Sequence, residues 1–171
     1  TIVNRLWQHH FHVGLVSTPN DFGKQGTPPT HPELLDWLAT QLIAHKWHLK
    51  PIHKLIMTSR TYRQSSTVNT RQARVDPENQ LLSRYPAKRL EAEAIRDSML
   101  TISGLLDSTM YGPGTLDARQ KRRSIYFMVK RSKLIPMMQL FDSPEPLASV
   151  GSRPTTIIAP QALLFMNNPQ V

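Results

Sequence analysis

The 171-residue chain reads as a mainly α protein, an irregular helical domain built on a helical hairpin and a long central helix, with at most one short strand or hairpin. Three observations predict this. Residues 88–106 (KRLEAEAIRDSMLTISGLL) place Leu90, Ala94, Ile95, Met99, Ile102 and Leu106 at three- and four-residue spacing, which is one stripe of a helix. Residues 30–62 hold two more amphipathic runs separated by only a few residues, the pattern of a helical hairpin. Strict alternation of apolar and polar residues is confined to one short stretch, 124–130.

The elements follow in order. Residues 1–11 carry Val3, Leu6, Trp7 and either His10 or Phe11 on one face, a helix that Gly14 should end. Residues 17–31 are rich in Pro, Gly, Asn and Asp and form a loop, with Asp21 and Gly23 in a turn. Thr30 and Glu33 fit a capping box, and Pro32 fits the first turn of the next helix. Leu34, Leu35, Leu38, Leu42 and Ile43 form its buried stripe as far as about Trp47. A third helix opens at Pro51 and runs to about Tyr62. Residues 64–76 have no periodicity and read as an exposed loop; a short helix with Leu81 and Leu82 follows Asp76-Pro77. The 88–106 helix would be about 28 Å long at 1.5 Å per residue, long enough to serve as the hub. Gly104 weakens its end or caps it. Beyond it lie a turn at 111–119, a strand or an extended arm at 124–130, a short helix at 134–141, irregular chain at 148–159 and a last helix from Pro160.

Composition narrows the function classes. The chain has no cysteine, which excludes disulfides and thiolate metal sites. No run of 18 apolar residues spans a bilayer. The chain opens on Thr1 inside an amphipathic segment and stops at Val171 just after another, as expected of a single helical domain that is a fragment of a larger domain or polypeptide. The net charge is +9, with +1 from residues 1–50, +4 from 51–100 and +4 from 101–171. That excess favours an acidic partner: a polysaccharide, an acidic protein, an anionic membrane surface or nucleic acid.

Several stretches together resemble one family: NRLWQHHF (4–11), TPNDFG (18–23), PPTHPELLDWLA (28–39), HKLIMTSRTYRQSS (53–66), DPENQLLSR (76–84), RLEAEAIRDSML (89–100), FDSPEP (141–146) and PQALLFMNN (160–168). They resemble the domain of unknown function that forms the C-terminal part of large planctomycete proteins, often alongside cytochrome-c-like modules. The resemblance implies an exported, extracytoplasmic protein, either periplasmic or at the cell surface, and implies no activity. Asn4, Trp7, Phe11, Asn20, Asp21, Phe22, Gly23, His31, Pro32, Glu33, Tyr62, Arg63, Glu93, Arg96, Asp97, Asp142 and Arg153 match the family pattern. His12 departs from it, since a glycine is expected in the turn after Phe11. With no cysteine, a C-x-x-C-H heme attachment is impossible in this segment.

Candidate chemistry centres on the polar residues of the 88–106 helix. Arg89, Glu93, Arg96 and Asp97 are three or four apart and share one edge. Glu93 and Asp97 are the catalytic candidates, because two carboxylates at this spacing can share a proton or a metal. The interleaved arginines favour the plainer reading, an ion-pair ladder completed by Arg63 or Arg153. His9 with His12, and His45 with His48, are spaced to chelate but lack a third ligand, so no metal is expected; His45 and His48 suit a helix C-terminus. Asp21 and His31 would form a site only if they closed over one cleft. Asn20-Asp21-Phe22-Gly23 lacks the companion motifs of a kinase, and Ser65 and Ser66 lack a nucleophile elbow. Residues 119–133 hold Arg119, Lys121, Arg122, Arg123, Lys130, Arg131 and Lys133 around Tyr126 and Phe127, a composition suited to a polyanion.

The binding candidates are therefore Arg63, Arg89, Arg96, Arg122, Arg123, Tyr126, Lys130 and Arg131, with no cofactor expected. The reading these residues favour is a non-catalytic interaction or scaffold module of an exported multidomain protein, its basic face docking an acidic polysaccharide or another module of the same polypeptide. The alternative is a hydrolase or lyase acting on an acidic polysaccharide through Glu93 and Asp97. Nucleic-acid binding ranks third, because no helix-turn-helix, zinc-finger or RNP signature is present. The sequence alone does not decide whether the chain is an enzyme, nor its oligomeric state.

Overall fold

The computed structural model describes residues 1–147 and 149–168. Among them are seven α-helices, one 3-10 turn and no sheet, so the mainly α expectation holds. The helices are α1 (Ile2–Phe11), α2 (Pro32–Ala44), α3 (Leu49–Thr58), α4 (Thr70–Val75), α5 (Ala92–Ile102), α6 (Pro136–Leu140) and α7 (Ala159–Asn167). The chain divides into two compact units, Thr1–Lys88 and Arg89–Val171.

In the first unit α1 packs on the α2–α3 hairpin. Val3, Leu6, Trp7, Phe11, Leu15, Leu38, Leu42, Ile52 and Ile56 form its buried cluster, with Tyr62, Leu82 and Tyr85 against it. The stripe of α2 is narrower than expected, for Ile43 points outward and is 60% exposed. The loop after α1 is fastened by one buried amide. Asn4, fully buried, donates from Nδ2 to the Val16 carbonyl at 3.0 Å and accepts the Val16 N–H at 2.8 Å. A Cβ on Gly14 would meet Asn4 Nδ2 at 2.5 Å, so glycine is required there by close approach.

Several boundaries differ from expectation, each for a local reason. α1 ends at His12, not Gly14: His12 takes the left-handed conformation (φ 71°) and its N–H caps the Gln8 carbonyl. That is the conformation glycine serves best, which accounts for the glycine expected there. The capping box at Thr30 and Glu33 is not formed. Thr30 instead donates both N–H and hydroxyl to the Leu15 carbonyl, and His31 is the N-cap. The helix expected after Asp76 is replaced by side-chain-bonded turns. Asp76 accepts the N–H groups of Gln80 and Leu81, and Asn79 pairs with the Arg84 backbone. The expected 64–76 loop contains α4, whose N-cap Asn69 accepts the Arg71 N–H. α4 buries no residue, which is why periodicity did not reveal it.

In the second unit α5 packs through Ala92, Ile95 and Met99 against Ile135, Met137, Met138 and Phe141, with Leu164 of α7 at the edge. It is shorter than the expected 88–106 helix. Glu91 is extended (ψ 155°), so Arg89 and Leu90 precede the helix. At the other end Gly104 adopts φ 71°, and the Leu105 N–H reaches back to the Leu100 carbonyl, a glycine-capped stop. Leu90 and Ile102 are consequently exposed, at 58% and 87%. The stripe of the hairpin belongs to the first unit's core and that of α5 to the second's, so each unit is organised around its own cluster.

The strand expected at 124–130 is not formed. Ser124–Tyr126 is a 3-10 turn, and the segment makes only isolated bridges, such as Thr115 with Phe127. The cause is α5: Asp97 takes the N–H of Ser124, and the segment lies on the helix as an arm. Leu38, 2% exposed, tests the core assignment. Leu38→Ala should lower the unfolding free energy by about 2–5 kcal/mol, whereas Ile43→Ala on the same helix should change it by about 0.5 kcal/mol or less. Chemical denaturation reads both; equal losses would contradict this packing.

Candidate functional site

The polar edge of α5 faces the 119–127 arm and Arg153. Arg96 is only 5% exposed although it carries a full charge. Its Nη1 donates to the Arg122 carbonyl at 2.9 Å and to Ser124 Oγ at 3.2 Å, and its Nη2 donates to the Gln120 carbonyl. Its guanidinium lies 4.6 Å from the centroid of the Phe127 ring. Burial pulls its pKa down and the neighbouring Asp97 pushes back, with a net lowering.

Asp97 completes the clamp. Its Oδ1 accepts both the N–H and the hydroxyl of Ser124, each at 2.7 Å, and its carboxylate lies 3.7 Å from Arg96 and from Arg123 Nε. Glu93, one turn earlier, accepts from Arg153 Nη1 at 2.7 Å, and Arg153 also pairs with Glu91 at 3.2 Å. Burial alone would raise the Glu93 pKa. The Arg153 hydrogen bond, the Glu93 backbone N–H and the Arg153 charge outweigh it and hold the carboxyl below its usual range. As placed, Glu93 and Asp97 are both engaged by arginine and backbone donors.

Arg89 is not on the helix edge. It donates to Asp142 Oδ2 at 2.5 Å and to the Phe141 carbonyl at 3.3 Å. Asp142 in turn holds the Thr156 N–H at 2.8 Å and its hydroxyl at 2.9 Å, tying 142 to 156. Arg153 thus fills the ladder position expected of Arg63 or Arg153. Arg63 is exposed, and no ion pair among the described residues involves it.

The cationic segment separates into inward and outward groups. Arg122 lies 3.6 Å from the Tyr126 ring centroid and donates to the carbonyls of Thr109, Tyr111 and Pro113, so it gathers the 109–113 turn. The Tyr126 hydroxyl accepts the Tyr111 N–H. Arg119 and Arg123 are exposed, with acids 3.7 Å away at Asp117 and Asp97. Lys121, Lys130, Arg131 and Lys133 are exposed, and no ion pair among the described residues involves them.

The remaining candidates are engaged locally. Asp21 accepts the Gly23 N–H in the expected turn, and His31 Nδ1 meets Thr30 Oγ1. His45 and His48 bond the carbonyls of Gln41 and His45 at the end of α2. Among the described residues no group of three or more His, Asp or Glu side chains could hold a metal, and no helix is long and apolar enough to cross a membrane.

One pair escaped the sequence reading. His10 Nε2 and His53 Nδ1 are 2.8 Å apart, joining α1 to α3 beside the ring of Tyr62. They are 43 residues apart in the chain. The only available signal was that His10 and His53 both fall on the inward faces of their helices. Burial, then the charges of His53 and His9, lowers the His10 pKa.

These features define a class: a helical chain whose buried ionic groups tie its own loops to its helices. The family profile described as "PSD1: Protein of unknown function (DUF1553)" matches residues 1–171, and the chain belongs to that family. No curated protein and no solved structure matches it.

The histidine pair generates a pH prediction. Because the folded state disfavours charge on His10, the unfolded chain binds more protons near its ordinary value of 6.5. This contribution to stability is complete above that pH and is lost as pH falls through and below it. The denaturation midpoint should therefore fall between pH 7.5 and 5.5, and His10→Gln should flatten that dependence. An unchanged slope in the variant would contradict the pairing.

Proposed function

We propose that the chain is a non-catalytic interaction module whose outward cations dock an acidic partner, either an acidic polysaccharide or another module of the same polypeptide. The supporting observation is the division of labour in the second unit. Arg89, Arg96, Arg122 and Arg153 are consumed by internal carbonyls, rings and carboxylates, whereas Lys130, Arg131 and Lys133 are exposed and outside the described ion pairs. A surface cation without a counter-charge costs nothing to hydrate and is free to meet a polyanion. Extracytoplasmic placement in a larger protein, as the resemblance implied, is part of this proposal, and the absence of cysteine suits it.

The hydrolase or lyase alternative has less support. An acid–base pair needs one carboxyl to carry a proton near neutral pH. Glu93 is instead held ionised by Arg153, and Asp97 is committed to Ser124. Nucleic-acid binding has the charge in its favour, but Lys130, Arg131 and Lys133 lie in a turn, not on a helix.

The test is retention of the chain on immobilised heparin and alginate. It should be held at low salt and released as ionic strength rises past about 0.15 M, where the screening length is about 8 Å. The triple variant Lys130→Gln, Arg131→Gln, Lys133→Gln should pass through while remaining folded. Retention unaffected by the triple variant, or stronger on duplex DNA, would overturn the proposal. New reducing or unsaturated chain ends in the polysaccharide would favour the enzyme reading instead.

A further inference from the structure

The second unit contains a cleft of about 330 Å³ between the end of α5 and the 118–121 lip. Its floor is apolar, formed by Met99, Leu100, Leu105 and Met137. The glycine-capped stop at Gly104 is what turns Leu105 back to line it. Its charged lining residues are Arg96, Arg119 and Lys121, and none of its lining residues is acidic.

The lip is fixed before any ligand arrives. The Gln120 carbonyl accepts from Arg96, the Lys121 carbonyl accepts the Asp107 N–H at 3.0 Å, and Gln120 Oε1 accepts the Arg122 N–H at 2.7 Å. That last bond orients the Gln120 amide. Its Nε2 is left buried with no hydrogen-bond partner. Orphaned buried donors are uncommon, and this one belongs to a residue that lines a cleft.

We propose that the cleft binds a small monocarboxylate with an apolar body. The apolar part would cover the methionine and leucine floor, and the carboxylate would lie at the lip, where Lys121 and Arg119 supply charge and the Gln120 amide supplies a donor. The volume is at the small end of the range of about 300–1,000 Å³ typical of ligand pockets, which excludes a polymer from the interior. A second apolar cleft in this unit also holds unpartnered buried donors, Arg89 Nε and Nη1, but Arg89 is the one cation among its lining residues and lies 2.5 Å from Asp142. The proposal goes beyond polyanion docking and does not depend on it: Arg119 and Lys121 are not among the residues changed in the retention test.

The experiment is a titration of the ¹⁵N-labelled chain with octanoate, followed by amide shifts. Saturable shifts are expected at 99–105 and 118–121, with a Kd below about 1 mM. Octan-1-ol, which keeps the tail but not the charge, should bind about tenfold more weakly. The double variant Arg119→Gln, Lys121→Gln changes two exposed side chains, so the fold should persist, and it should weaken octanoate about tenfold while leaving octan-1-ol unchanged. Gln120→Met, with its fold checked by the same spectra, should also weaken octanoate. No saturation, shifts that map elsewhere, equal binding of octanoate and octan-1-ol, or indifference to the double variant would each overturn the proposal. Octanoate binding by a chain that fails to bind heparin and alginate would leave this cleft standing and remove only the docking function.

Discussion

The second unit depends on one buried positive charge. An arginine withdrawn from water is costly unless its donors are matched and its charge is balanced. Arg96 meets that requirement with two main-chain carbonyls, a serine hydroxyl, the face of Phe127 and the adjacent Asp97. Each partner lies on the 120–127 arm or next to Arg96 on α5. Satisfying the guanidinium therefore fixes the arm, and the arm in turn presents Lys121 and Arg123 at the surface and lines the cleft with Gln120 and Lys121. The same residue links internal order to external charge.

The first unit solves a similar problem without a buried cation. Asn4 sits where an apolar residue would be expected on α1, yet it is fully buried because its amide satisfies both backbone groups of Val16. Asp76 and Asn79 act likewise, bonding nearby backbone groups in place of a helix. In both units, side-chain amides and carboxylates do for the loops what helical hydrogen bonds do for the helices. This explains how a chain with fourteen prolines and long irregular connections keeps defined turns.

The sequence was most informative where burial is periodic. Leu38, Leu42, Ile52 and Ile56 sit in the core because their spacing matches a helix face. It was least informative where a distant side chain decides the backbone. Ile125, Phe127 and Val129 alternate like a strand, but Asp97 claims the Ser124 N–H and turns the segment into a short 3-10 arm. Leu90 and Ile102 continue the stripe of α5 on paper, but Glu91 is extended, so Leu90 precedes the helix, and Ile102 is its last residue before the Gly104 stop; both are exposed. The polar edge was legible as a cluster and as a ladder through Arg153. The partners of Arg96 were not legible, because backbone carbonyls leave no mark in a sequence. The meeting of His10 and His53 likewise requires the tertiary pairing of two helices.

The guanidinium of Arg96 and the carboxylate of Asp97 hold the 120–127 arm on α5. Hydrogen exchange at the Ser124 amide tests it most directly, because that N–H donates to Asp97 and no backbone ladder protects it. The account predicts slow exchange at Ser124 in the native chain and exchange at least about tenfold faster in Arg96→Met, a loss of about 1.4 kcal/mol of local protection. A Ser124 amide that exchanges as freely as an unstructured loop, or one that stays protected when Arg96 is replaced, would contradict it.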